Sequence, residues 1–138
     1  MLRFLLDTNI VSNPIAKKPN HKLLARLTAN SLYCAIPAPV WHELIFGCQL
    51  LAGGKRCTAV EQYLKNVVKP SFPVLPYDES ATHWHAIERA RLEQAGKTVP
   101  FVDGQIAAIA KRNDLTLVTA NPRRFALFQG LNILNWST

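Results

Sequence analysis

The sequence holds only nine acidic side chains, few enough that each can be given an ordinary role or denied one. Asp78 in YDESA precedes a long helical pattern and is expected to cap its N-terminus. Glu79 then falls in the first turn, where negative charge suits the macrodipole. Glu93 with Lys97, Glu88 with Arg91 and Glu61 with Lys65 have i,i+4 or i,i+3 spacing and are expected on solvated helix faces. Asp114 in KRNDL belongs to a turn. Asp7, Glu43 and Asp103 are left, and carboxylates without an ordinary partner are the groups that hold cations.

Each of the three has an everyday alternative. Asp7 ends the apolar run FLL and precedes a short helical stretch, so it could be an N-cap. Asp103 opens DGQIAAIA, with Ile106, Ala107 and Ala110 at i+3, i+4 and i+7, the spacing of one helix face. It therefore points with the apolar stripe, where a carboxylate costs several kcal/mol unless paired or metal-bound, although a first-turn acid is the competing role. Glu43 lies early in a helix whose apolar stripe is Val40, Trp41, Leu44, Ile45, Cys48 and Leu51, about 135° from its centre, an ordinary surface direction. What links the three is placement at strand ends or loops along one edge.

Two carboxylates about 5 Å apart repel by roughly 3 kcal/mol at an effective dielectric near 20, so three together require a cation. Hard oxygen donors without a nearby Cys or His select Mg²⁺ or Mn²⁺ over zinc. Histidine offers no rival centre. HELIF at His42 begins like a zinc-protease helix, but Phe46 occupies the position of the second histidine. His83 and His85 are two apart on an expected helix and face different ways. Cys34, Cys48 and Cys57 are odd in number and form no C-x-x-C pair, which suits reduced thiols better than a disulfide framework or a zinc site. No G-x-S-x-G elbow, Walker loop or G-x-G-x-x-G turn is present.

The elements that must position these acids alternate in type. Strands are expected in LRFLL, LYCAI, SFPVL, TLVT and NILNW. Helices are expected just after Asp7, over about 22–29, 39–51, 58–68, 79–95 and 102–113, and briefly after Asn121. This order predicts an α/β fold with a mostly parallel sheet, whose ligands sit outside the carboxyl ends of the strands. Asp7 is at such an end.

With 138 residues, 49% hydrophobic, the chain is expected to fold as one domain over 1–138. Its formal net charge of +7 favours a polyanionic partner such as nucleic acid. No apolar run reaches the roughly 18–20 residues of a membrane span, and Asp7 interrupts the first one, so a cytoplasmic location and no membrane partner are expected.

FLLDTNIV, the helix bearing Glu43, IERARLEQAGKTVPFVDGQIAAIA, and LTLVTANPRRF followed by NILNW together resemble the PIN-domain ribonucleases, and among them the VapC-type toxins of toxin–antitoxin pairs. The likeness spans essentially the whole chain in order. It implies a three-layer sandwich with a four- or five-stranded, mostly parallel sheet flanked by helices. It implies a homodimer, open to larger toxin–antitoxin assemblies, and Mg²⁺-dependent hydrolysis of RNA, with Mn²⁺ as substitute. Transfer RNA or another structured RNA is the implied substrate, inhibition of translation the effect, and a cognate antitoxin the partner.

By position, the family's acidic metal-binding and catalytic residues fall on Asp7, Glu43 and Asp103, and its variable fourth acid on Asn121. Asn121 before Pro122 also fits an N-cap with proline at N1, which leaves one or two metal ions open. Val102 stands where many relatives carry Asn. Asn9 and Thr119 are expected to orient a carboxylate or metal-bound water, and Arg123, Arg124, Lys17 and Lys18 to hold the RNA backbone. Two rivals remain: a PIN-like module that binds RNA or protein without cleaving, and a metal-dependent nuclease acting on DNA.

Overall fold

In a computed structural model describing residues 1–138, the short apolar runs become a five-stranded sheet in the order β3-β2-β1-β4-β5. The strands are β1 (Phe4–Leu6), β2 (Cys34–Pro37), β3 (Val74–Leu75), β4 (Thr116–Val118) and β5 (Ile133–Leu134). Every pairing is parallel, with Phe4 between Cys34 and Thr116, and Leu6 beside Val118. The expected sheet is therefore found, with five strands and none antiparallel. Both faces of β1 and β2 are buried, which explains why they read as continuous apolar runs and not as alternation.

The chain adds β2 and β3 on one side of β1, then crosses over to add β4 and β5 on the other. The carboxyl ends of β1 and β4 therefore flank a topological switch point, the usual place for a ligand in an open α/β sheet. Asp7 follows β1 and Thr119 follows β4.

The helices are α1 (Thr8–Val11), α2 (His21–Asn30), α3 (Ala38–Leu50), α4 (Gly54–Tyr63), α5 (Lys69–Ser71), α6 (Glu79–Gln94) and α7 (Phe101–Arg112). α7 buries Gly104 and every residue from Ile106 to Ala110, so small side chains let it approach its neighbours closely. Gly104 is the tightest point: a Cβ there would collide with His85 Nε2 on α6. Asp78 caps α6 as expected, accepting from Ala81 N at 2.8 Å.

Several boundaries differ from expectation for local reasons. β2 begins only at Cys34, because Leu32 and Tyr33 belong to a 3₁₀ turn over Ser31–Tyr33. The helix expected over 58–68 begins earlier, at Gly54, and gives way to a π-type turn at Leu64–Val68. Pro70 follows that turn; its ring and missing N–H are incompatible with a regular helix four residues back. The short element after Asn121 is a 3₁₀ helix, Pro122–Phe125.

Glu88 is the clearest departure among the acids. Expected on a solvated face, it is buried, accepting from Arg91 Nε at 2.6 Å and Nη2 at 2.9 Å, and from the backbone of Gln129. The segment after β4 folds across α6 and covers it, with Arg91 also donating to Leu127 O at 3.0 Å. On α3 the buried stripe is narrower than expected: Val40, Leu44 and Cys48 are covered while Ile45 and Leu51 are exposed.

Candidate active site

Asp7 is fully buried at the end of β1, and its two carboxylate oxygens do different things. Oδ1 accepts from Thr8 N at 2.8 Å and so caps α1. Oδ2 accepts from Thr119 Oγ1 at 2.8 Å and from Arg124 Nη1 at 2.9 Å. The N-cap role and the cation-facing role, set against each other in the sequence, are thus both filled by one side chain.

Asp103 occupies the third position of α7, where no capping bond engages it and where it lies 5% exposed. Its Oδ1 accepts from Arg124 Nη2 at 2.6 Å and its Oδ2 from Arg124 Nε at 3.4 Å. One guanidinium therefore spans both aspartates. Arg124 itself is held over the buried Phe125 ring, 4.8 Å from its centroid. The Asp103 hydrogen bond above all, then the charges of Asp7 and Asp103, raise its pKa above the ordinary guanidinium value against the opposing effect of burial.

Thr119 sits at the centre of the wiring, donating to Asp7 while its oxygen accepts from Asn121 N at 3.0 Å. Asn9 holds the same loop from the other side, its Oδ1 accepting from Ala120 N at 3.1 Å. It secures backbone and does not touch a carboxylate. Asn121 is exposed, and its side chain makes no capping bond despite the Pro122 that follows.

Glu43 is half exposed on α3, with its carboxylate 3.8 Å from His42 Nδ1. It borders one surface depression with Thr8 and Ser12, and another with Tyr77, Val102 and Gln105. It thus sits between the neighbours of Asp7 and those of Asp103, although the three carboxylates do not all close to within 4.8 Å of one another.

The chain as a whole is similar to known proteins. Residues 4–130 match the PIN domain. The chain belongs to the PIN-domain family. It is similar to toxin FitB of Neisseria gonorrhoeae, 34% identical over 124 residues that cover 88% of this chain and 89% of FitB. It is also similar to the tRNA(fMet)-specific endonuclease VapC of Shigella flexneri, 35% identical over 139 residues covering 99% of this chain and 100% of that one. The structure of FitAB bound to an IR36 DNA fragment superposes with a TM-score of 0.89 at 29% identity, over 98% of this chain and 96% of its counterpart.

In this PIN domain the donor set fits a hard divalent metal. Asp7 and Asp103 offer carboxylate oxygens that already converge on one positive group, and no sulfur or imidazole donor joins them. The guanidinium is a stand-in cation that offsets one of the pair's two negative charges.

The basic residues divide. Arg123, Lys17 and Lys18 are exposed and free to meet an anion. Arg124, grouped with them in the sequence, is turned inward onto the aspartates. Nothing in the composition of PRRF separates the two arginines; the 3₁₀ turn does, because successive residues point about 120° apart. Gly104, directly after the buried Asp103, is a sequence sign of the close helix approach found there.

Proposed function

We propose that this PIN domain is a metal-dependent endoribonuclease and the toxin of a toxin–antitoxin pair. The observation that carries the reading is the convergence of buried Asp7 and Asp103, from separate elements, on a single cation at the switch point of the sheet. The relatives' names, a toxin and a tRNA-specific endonuclease, support RNA as substrate and transfer RNA or another structured RNA as its class.

Asp7, Asp103 and Glu43 would hold Mg²⁺, with Mn²⁺ as substitute, and Asn121 would be the added ligand if a second ion binds. When bound, the metal supplies a lowered pKa for attacking water and positive charge for the phosphodiester transition state. The chain's own groups do the rest. Thr119 fixes the orientation of Asp7, and Asn9 holds the loop that carries Thr119. Arg123, Lys17 and Lys18 supply positive charge for the RNA backbone, so binding weakens as salt rises. A cognate antitoxin, a homodimer, inhibition of translation and a cytoplasmic location belong to the same reading. No helix of the chain is long and apolar enough to cross a membrane.

A second reading has one observation in its favour. Because Arg124 already offsets one of the two aspartate charges, a PIN-like module that binds without cleaving has less electrostatic need for a metal. Both readings, and action on DNA, are separated by one experiment. RNA and single-stranded DNA are incubated with wild type, Asp7→Asn and Asp103→Asn, with Mg²⁺ and with EDTA. The proposal expects Mg²⁺-dependent RNA cleavage by wild type alone. Cleavage that survives EDTA or both substitutions would sink the metal mechanism, and DNA cleavage without RNA cleavage would reassign the substrate.

A further inference from the structure

Cys48 and Cys57 are nine residues apart in sequence, yet the turn between α3 and α4 brings them face to face. That turn runs through left-handed backbone at Ala52 (φ 50°), Gly53 (φ 98°) and Gly54 (φ 89°), conformations that two glycines make accessible. It folds α4 back along α3. Cys48 Sγ then lies 4.0 Å from Cys57 O, and Cys57 Sγ 3.8 Å from Cys48 O. Glu61, one helical turn beyond Cys57, brings Oε1 to 3.4 Å from Cys57 Sγ. The two sulfurs and a Glu61 oxygen all lie within 4.8 Å of one another.

We infer that Cys48, Cys57 and Glu61 form a second metal site, for a soft, zinc-class divalent cation, that clamps α3 to α4. Tetrahedral zinc, with Zn–S near 2.3 Å and Zn–O near 2.0–2.2 Å, separates its ligand atoms by about 3.5–3.8 Å. The Cys57–Glu61 distance of 3.4 Å falls just short of that range, and small side-chain rotations bring the three donors into it. Three protein ligands leave a fourth position for water. Two thiolates select zinc-class ions over Mg²⁺, which keeps this site chemically distinct from the Asp7–Asp103 centre.

Buried cysteines often act only as small apolar fillers, and Cys34, buried without a second thiol or a carboxylate, is of that kind. What distinguishes the pair is the third donor. Glu61 is exposed and free to point to water, yet its carboxylate turns onto a thiol. The site also has an opening: Cys48 and Glu61 line a surface depression with Trp41, Gln49, Lys65 and Lys69. Two thiolates and a carboxylate around a dication carry one net negative charge, which the two lysines at that opening stabilise. Binding forms two metal–sulfur bonds and one metal–oxygen bond and releases both thiol protons to solvent, with no change of oxidation state. Burial pushes the Cys48 thiol up, so in the absence of metal it is a poor nucleophile. The clamp acts on the helix that bears Glu43.

The test uses the full chain, reduced and stripped of metal, titrated with Cd²⁺ as a spectroscopic probe and then with Zn²⁺ as competitor. One equivalent of Cd²⁺ is expected to give a thiolate-to-cadmium charge-transfer band that Zn²⁺ removes. Cys48→Ser and Cys57→Ser should lose the band, Glu61→Gln should weaken binding about tenfold or more, and Cys34→Ser and Asp103→Asn should leave it unchanged. Because Glu61 is exposed, Glu61→Gln keeps the fold even if a serine variant does not, and Zn²⁺ should raise the melting temperature of wild type well above its effect on Glu61→Gln. A wild type without the band, a band that survives either cysteine substitution, or equal zinc stabilisation of wild type and Glu61→Gln overturns the site.

Discussion

Asp7 and Asp103 do not touch each other; they share Arg124, whose Nη1 reaches Asp7 Oδ2 at 2.9 Å and whose Nη2 reaches Asp103 Oδ1 at 2.6 Å. A metal held by the same oxygens has to compete with that guanidinium. Arg124→Ala should therefore destabilise the metal-free protein by about 2 kcal/mol, a value set below that of a fully buried pair because the arginine is one-third exposed. Added Mg²⁺ should restore more stability to the variant than it gives wild type, and should bind the variant more tightly. Urea denaturation with and without Mg²⁺, and calorimetric titration, read both effects. Equal stabilisation of the two proteins by Mg²⁺ would mean that arginine and metal do not compete.

Thr119→Val removes a hydroxyl with little change in shape. Asp7 loses one donor inside its buried site and the part-buried Asn121 N–H loses its acceptor, a cost of about 1–3 kcal/mol. RNA cleavage should fall about 10- to 100-fold through misorientation of Asp7. Steady-state kinetics beside a denaturation curve tests this; unchanged kcat/KM would show that Asp7 is held well enough without Thr119.

Gly104→Ala would set a methyl against the His85 ring, which cannot easily retreat because Tyr77 Oη lies 2.7 Å from His85 Nδ1 and Phe101 packs on the ring, 4.8 Å between centroids. The expected loss is about 1–3 kcal/mol, with cleavage impaired because Asp103 is the adjoining residue. Combining it with His85→Ala should cost less than the sum of the single changes. A double-mutant cycle showing simple additivity would place the strain elsewhere.

Glu88 carries a pH signature. The Arg91 hydrogen bond first, then the Gln129 backbone bond and the Arg91 charge, hold its pKa below the ordinary carboxylate value against the opposing effect of burial. Between the folded and unfolded values the unfolded chain binds more protons, so stability rises with pH there. This contribution is complete above the unfolded value of about 4.3 and is lost as pH falls through the folded one. Glu88→Gln should flatten that acid limb, measured as denaturation midpoints across acidic pH. An unaltered acid limb would remove Glu88 as its source.

What the sequence made legible follows from periodicity. β1, β2 and α7 announce themselves because burial on all sides leaves unbroken apolar runs, and Asp103 stands out because it keeps that register. The burial of Glu88 is not legible because an i,i+3 pair looks the same in solvent and under a covering segment, and the Leu127–Gln129 segment that covers it arrives from far along the chain. Arg124 and the Cys48–Cys57 contact were hidden for the same reason. Both depend on how a turn aims side chains, on a 3₁₀ helix in one case and three left-handed residues in the other.

The position of β1 in the sheet also sets a timetable. It is the first strand to leave the ribosome, yet it pairs on one side with Thr116–Val118, and Asp7 acquires its Thr119 and Arg124 partners only after those residues emerge. At a synthesis rate of about 5–20 residues per second the nascent chain spends several seconds with that central strand half paired. A centre assembled this way is incomplete until Arg124 has emerged, so the two aspartates meet the group that joins them only after four of the five strands have been made.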